Sequence, residues 1–230
     1  MIFKLGTCLL VAMTTLSLAC AAQAEVIFHR PPSAALEGEG IGIDRFETAG
    51  TRIACREANY RGGYGSGNAK SIVLEPEYEH CTTEALAGFP ADFYQELCNY
   101  VLHDARQAGE GWRAAVDLQC TSSEWDSVGW DIFETEAAYG EARPFCSTRV
   151  PEQTLGTAEL RNLPKHRGIE IHWNLHDFEY TVGTLRGAGS SLLCGSTLHR
   201  TRSDARYSGT ATVAAREYNS GSVPFYITGR

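Results

Sequence analysis

The sequence predicts an α+β domain: a largely antiparallel sheet with one main amphipathic helix at about residues 90–108. Several segments alternate apolar and polar side chains with period two, the pattern of half-buried strands, whereas 90–108 places apolar residues at helical spacing. Strands and helices do not alternate regularly, as a parallel sheet would require.

Residues 25–50 carry Pro31-Pro32 and Gly38, Gly40, Gly42 and Gly50, and read as loop or extended edge. Arg61 to Asn68 (RGGYGSGN) is a turn-rich loop. Its continuation to Lys70-Ser71 is not a phosphate-binding loop, because Asn68 and Ala69 stand where glycine must precede the lysine. The expected helix opens at Pro90, carries Asp92 in its first turn and closes at Gly109. Phe93, Leu97, Cys98, Val101 and Ala105 form its apolar stripe, which leaves His103 as a surface histidine.

Strands follow. Trp112, Ala114, Val116, Leu118 and Cys120 alternate with Arg113, Ala115, Asp117 and Gln119, and Val128, Trp130 and Ile132 continue the pattern. Pro151 to Leu163 reads as a short helix. Ile169, Ile171, Trp173 and Leu175 face one way, and Glu170, His172, Asn174 and His176 face the other. Thr210 to Tyr218 and Val223 to Thr228 complete the set, with Pro224 marking the last strand as an edge. Neither an internal repeat nor a linker divides the chain, so residues 25–230 are expected to form one domain.

Residues 1–24 have the layout of a cleaved export signal. Lys4 is followed by the apolar run Leu5–Leu18, and Ala22-Gln23-Ala24 gives the small-x-small pattern before a cut ahead of Glu25. An uncleaved anchor over residues 5–22 and lipidation at Cys20 are the rival readings; Ser17 stands where the lipidation motif wants a large aliphatic residue. No later stretch is long and apolar enough for a membrane-spanning helix. The protein is therefore expected to be secreted or periplasmic.

Six cysteines remain after the signal: Cys55, Cys81, Cys98, Cys120, Cys146 and Cys194. An even number in an exported chain reads as three disulfides, with the pairing open. No two are close enough for a C-x-x-C zinc or redox motif, so neither a metal nor another cofactor is expected. The net charge is −8, and −9 without Lys4, which argues against a nucleic-acid partner. Lysine is scarce: only Lys70 and Lys165 follow the signal. A GC-rich genome, or avoidance of lysine as a modification target, would produce that bias.

The segment Glu170-Ile171-His172-Trp173-Asn174-Leu175-His176-Asp177 is the main candidate site. On a strand, His172 and His176 lie about 13 Å apart, too far to share one metal ion. A row of Glu170, His172, Asn174 and His176 instead suits contact with an extended protein or glycan partner. As catalytic groups, His172 and His176, with Glu170, would serve a secreted hydrolase as general acid and base. His199, Arg200, Arg202 and Arg206 form a local basic cluster, read as solvated arginines paired with Asp204 and nearby acids.

Glu134-Thr135-Glu136, with Arg30 in Phe28-His29-Arg30-Pro31-Pro32, faintly resembles the Arg … Glu-x-Glu layout of ADP-ribosylating toxins. The family's Ser-Thr-Ser strand has Cys81-Thr82-Thr83 as its nearest counterpart, lacking the first serine. The resemblance would make Arg30, Glu134 and Glu136 the weaker catalytic candidates of a transferase. The leading expectation is a disulfide-stabilised recognition protein, with the hydrolase and then the transferase as alternatives.

Overall fold

A computed structural model describes residues 25–63, 67–84, 88–95, 98–121, 128–135, 138, 144–185, 194, 200–218 and 221–229. The expected signal segment (residues 1–24), Trp125, Glu136, His199, Asn219 and Ser220 lie outside them.

The described chain is almost wholly β, which corrects the α+β expectation. Fifteen strands run in chain order: β1 (Val26–His29), β2 (Ala35–Gly40), β3 (Asp44–Glu47), β4 (Arg52–Gly62), β5 (Ile72–Thr83), β6 (Pro90–Gln95), β7 (Cys98–Ala108), β8 (Gly111–Cys120), β9 (Val128–Ile132), β10 (Cys146–Val150), β11 (Gln153–Asn162), β12 (Ile169–Leu185), β13 (Thr201–Glu217), β14 (Gly221–Val223) and β15 (Tyr226–Gly229). A 3₁₀ turn at Pro164–His166 joins β11 to β12. Among the described residues no helix is long and apolar enough to cross a membrane.

The expected helix is the strands β6 and β7, and a bulge explains the misreading. On β7, Cys98, Tyr100 and Leu102 point inward at period two. Asp104 then adopts φ 48°, the pairing with β8 slips between His103 and Arg106, and Ala105 becomes the next buried residue. A bulge inserts one residue into the alternation. Val101 is buried as well, so Cys98, Val101 and Ala105 copy the i, i+3, i+7 spacing of a helix. Pro151 to Leu163 is likewise a strand, β11, rather than a short helix. The region 25–50 holds three strands, two of which line the barrel.

Antiparallel ladders close into an eight-stranded barrel in the order β5-β7-β8-β11-β12-β13-β2-β4, with β4 returning to β5. A second circuit of eight closes at the other end, through β5-β6-β9-β10-β12-β13-β3-β4. The four long strands β4, β5, β12 and β13 belong to both, so one wall splits into an upper wing (β7, β8, β11) and a lower wing (β6, β9, β10). Strands β2 and β3 are successive halves of one position between β13 and β4, separated by a kink at Gly42 with φ 86°. Closure leaves the barrel no free edge over these ladders.

A ribbon of β1 and β15 covers the upper mouth, burying Val26, Phe28 and Ile227. Asn162 fastens it, donating from Nδ2 to Ile227 O (2.9 Å) and accepting from Ile227 N at Oδ1 (2.8 Å). Three disulfides are present. Cys55–Cys81 and Cys98–Cys120 each join directly opposed residues of a strand pair, and Cys146–Cys194 anchors residue 194 to the start of β10. All six cysteines expected to pair do so, although Cys98 ties strand to strand rather than helix to sheet.

Candidate binding site

The barrel interior is filled. Aromatic side chains Phe46, Tyr60, Tyr78, Phe93, Tyr100, Trp130, Trp173 and Tyr207 contact one another across it, with centroid separations from 4.2 to 6.4 Å. The space left among Phe46, Tyr100, Trp130 and Tyr207 is about 10 Å³, at most one water. A ligand of any size must therefore meet the described protein on its outside.

A polar chain runs through this core. Tyr207 donates to Asp44 Oδ1 at 2.6 Å, and with that proton committed Tyr60 donates to the Tyr207 hydroxyl at 2.7 Å. Tyr78 donates to the Tyr100 hydroxyl at 3.3 Å. Asp44 is 1% exposed, and its Oδ2 has no hydrogen-bond partner. Burial pushes its carboxyl up to about 6, against the opposing pull of the tyrosine hydrogen bonds. Gly40 and Gly209 make the room: a Cβ on Gly40 would lie 2.9 Å from Asp44 Oδ2, and one on Gly209 would overlap Oδ1.

Outside, the split between the two wings leaves a cleft. Among the described residues β5 pairs with β7 over Ile72–Leu74 and with β6 over Cys81–Thr82, leaving 75–80 held only by β4 on the other side. On the β12 side the same split is bridged by Gln153, which donates from Nε2 to Glu179 O (2.8 Å) and accepts from Glu179 N (2.6 Å). The β5 side is open as a depression of about 220 Å³. It is lined by the half-buried Phe93, Tyr94 and Gln95, by the buried Tyr78, and by the exposed Arg61, Glu75 and Glu77. Tyr94 is fixed by donating to Thr148 O at 2.9 Å, across Gly129, where a Cβ would collide with both. Gln95 donates from Nε2 to Cys98 O, while its Oε1 is buried without a partner.

A second depression, of about 290 Å³, adjoins it and shares Arg61. The strand register explains its lining. Thr212, Glu39, Asn59 and Glu77 lie opposite one another on successive strands β13, β2, β4 and β5, and so do Ala214, Glu37, Arg61 and Glu75. Two parallel rows thus cross the outer wall, separated by two residues along each strand, about 7 Å. Arg61 pairs with Glu77 (3.2 Å) and Arg216 with Glu37 (3.1 Å). Glu39 and Glu75 have no partner among the described residues.

The row proposed from sequence lies beside this groove. Ile169, Ile171, Trp173 and Leu175 are buried, and Glu170, His172, Asn174 and His176 face outward on β12. Glu170 is opposite Thr212, so it extends the first row by one strand. His172 Nε2 contacts Glu170 Oε1 at 2.6 Å, and its Nδ1 contacts Thr210 Oγ1 at 3.2 Å. The alternation ends at a bulge, Asp177 with φ 59°, where His176 Nδ1 contacts Asp177 Oδ2 at 2.8 Å. These four residues line none of the depressions described above.

Arg30 and Glu134 are not brought together. Arg30 donates to Gly63 O at 2.9 Å, at the upper end of β4. Glu134 is exposed in a bend, not on a strand, just past Ile132, which pairs with the lower-end residues Ala91 and Cys146. The length of β4 separates these ends, ten steps or about 33 Å. Glu136 lies outside the described residues, and Cys81-Thr82-Thr83 is at the lower end. Glu57, Glu79 and His80 bring possible ligand atoms within 4.8 Å of one another on the exposed face of β4 and β5. His80 Nδ1 contacts Glu57 Oε1 at 3.2 Å.

The sequence reading did not select Arg61, Glu75, Glu77 or Asp44. Glu75-Pro76-Glu77-Tyr78-Glu79 carried a signal for Glu75 and Glu77, an acid at each outward position of that segment. Asp44 left none, because nothing local marks an aspartate as buried. No protein-family profile matches the chain, and neither does any curated protein or solved structure.

Proposed function

We propose that this is an exported, disulfide-stabilised recognition protein that binds a glycan on its outer wall, in the cleft between β5 and β6. The observation that carries the reading is the cleft's composition: the half-buried aromatics Phe93 and Tyr94 beside the exposed Arg61, Glu75 and Glu77. Aromatic faces cover the apolar C–H side of a sugar ring, and planar guanidinium and carboxylate groups hydrogen-bond its hydroxyls. Small-ligand sites combine such an apolar surface with a few fixed polar groups. Three disulfides and the filled barrel core give that surface a rigid support.

The test is a glycan array probed with oxidised protein lacking residues 1–24, beside Arg61→Ala. Selective retention of a saccharide class by the native protein, weakened in the variant, is expected. An array blank for both proteins would overturn the proposal.

A further inference from the structure

We infer that the kink between β2 and β3 is a pH-operated latch, pinned to the barrel core by protonated Asp44 and released when that carboxyl ionises. The latch does not depend on the glycan reading and adds a local, reversible opening of the barrel wall.

The strand ladders skip the kink. On the β13 side pairing stops at Gly40 with Ala211 and resumes at Arg45 with Ser208. On the β4 side it stops at Glu39 with Asn59 and resumes at Asp44 with Cys55. Ile41, Gly42 and Ile43 thus belong to no ladder among the described residues, and Ile41 N donates to Thr210 O at 2.6 Å. Ile41 and Ile43 are 50% and 44% exposed, so neither anchors the segment in the core. Gly42 has φ 86°, and a Cβ there would meet nothing within 4 Å, so the backbone is free to pivot at this point. Asp44 is the first buried side chain after the kink, and Tyr207 fastens it by donating to Oδ1 at 2.6 Å.

That fastening is sensitive to charge. The groups facing the carboxyl are Tyr207 from β13 and Tyr60 from β4, with Tyr78 from β5 and Tyr100 from β7 beyond them. Gly40 from β2 and Gly209 from β13 close against its two oxygens. None of these groups is a cation, and the adjacent Arg45 is turned outward to Glu84 at 3.0 Å. On ionisation Tyr207 would still donate to Oδ1, but Oδ2 has no donor. A buried anion so poorly matched is costly, and burial accordingly pushes the carboxyl up to about 6. Swinging Asp44 out at the kink returns it to water and to an ordinary 3.8. The closed form therefore holds the proton more tightly than the open form. Raising the pH between these values favours opening, and the gain levels off above 6.

Amide exchange followed by ¹⁵N NMR on the oxidised chain without residues 1–24 tests the latch, with rates corrected for the intrinsic effect of pH. Ile41 and Arg45 are expected to be less protected than Val116 and Leu118 of β8 at every pH. Their protection should fall about fiftyfold from pH 4 to pH 7, and stay within about threefold in Asp44→Asn. Equal protection of Ile41 and Val116 in the native protein would mean that the kink opens only with the whole barrel, and overturns the inference. A native profile that is flat with pH overturns it without recourse to the variant. A fiftyfold fall that persists in Asp44→Asn assigns the response to another group and overturns it as well.

Discussion

Replacing Asp44 by asparagine is expected to remove a distinct component of the protein's pH-dependent stability. The carboxyl is 1% exposed, and burial raises it from 3.8 to about 6. Between those values the folded protein holds a proton that the unfolded chain has released. The resulting stability is fully present below 3.8, is lost as pH rises through 6, and is absent above it. The gap corresponds to about 3 kcal/mol, of which about 2–3 kcal/mol falls between pH 4 and pH 8. The side-chain amide introduced by Asp44→Asn keeps an oxygen to accept from Tyr207 and does not titrate. Urea unfolding followed by tryptophan fluorescence, with disulfides intact, should show native protein losing that amount relative to the variant across the range. All other carboxylates titrate alike in both, so their effects cancel in the difference. A stability gap between the two proteins that stays constant from pH 4 to pH 8 would refute the buried, raised carboxyl.

Gly209→Ala should drive a methyl into Asp44 and destabilise by about 1–3 kcal/mol, read from the same unfolding curves. Gly129→Ala should displace Tyr94 from Thr148 O and weaken both the β6–β9–β10 wing and saccharide binding, seen as faster amide exchange there and lower affinity. Replacing Cys98 and Cys120 together by serine removes a 22-residue crosslink and should cost roughly 3 kcal/mol by loop-closure entropy. His172→Ala with His176→Ala should leave the unfolding midpoint nearly unchanged, since both side chains are on the outer face. A large drop would mean that β12 depends on the His172–Glu170–Thr210 contacts.

Strands with uninterrupted alternation were legible from sequence. Ile169 to Leu175 is buried at every second position as expected, and so are Ala114, Val116 and Leu118. Reading failed where the alternation is broken by a positive-φ residue. Asp104 turned a strand into an apparent helix, and no local composition distinguishes such a bulge from a helical stripe. Barrel closure was also illegible, because it depends on ladders between strands as distant as β2 and β13. The same limit hid the groove: Glu39, Asn59, Glu77 and Thr212 become a row only once four strands are in register. The cysteines were legible because an even number of them follows the first 24 residues with no close pair among them. Their pairing was not, since Cys55 finds Cys81, and Cys98 finds Cys120, through strand register.

The most direct test of the account is where a saccharide sits. Amide chemical shifts of uniformly ¹⁵N-labelled, oxidised protein should be recorded during titration with the tightest ligand from the array. The account expects the largest changes at Glu39, Asn59, Arg61, Glu77 and Tyr94, with Trp130 and Leu118 inside the barrel unmoved. Changes confined to β12 at Asn174 and His176, with Arg61 and Tyr94 silent, would contradict the assignment of the site.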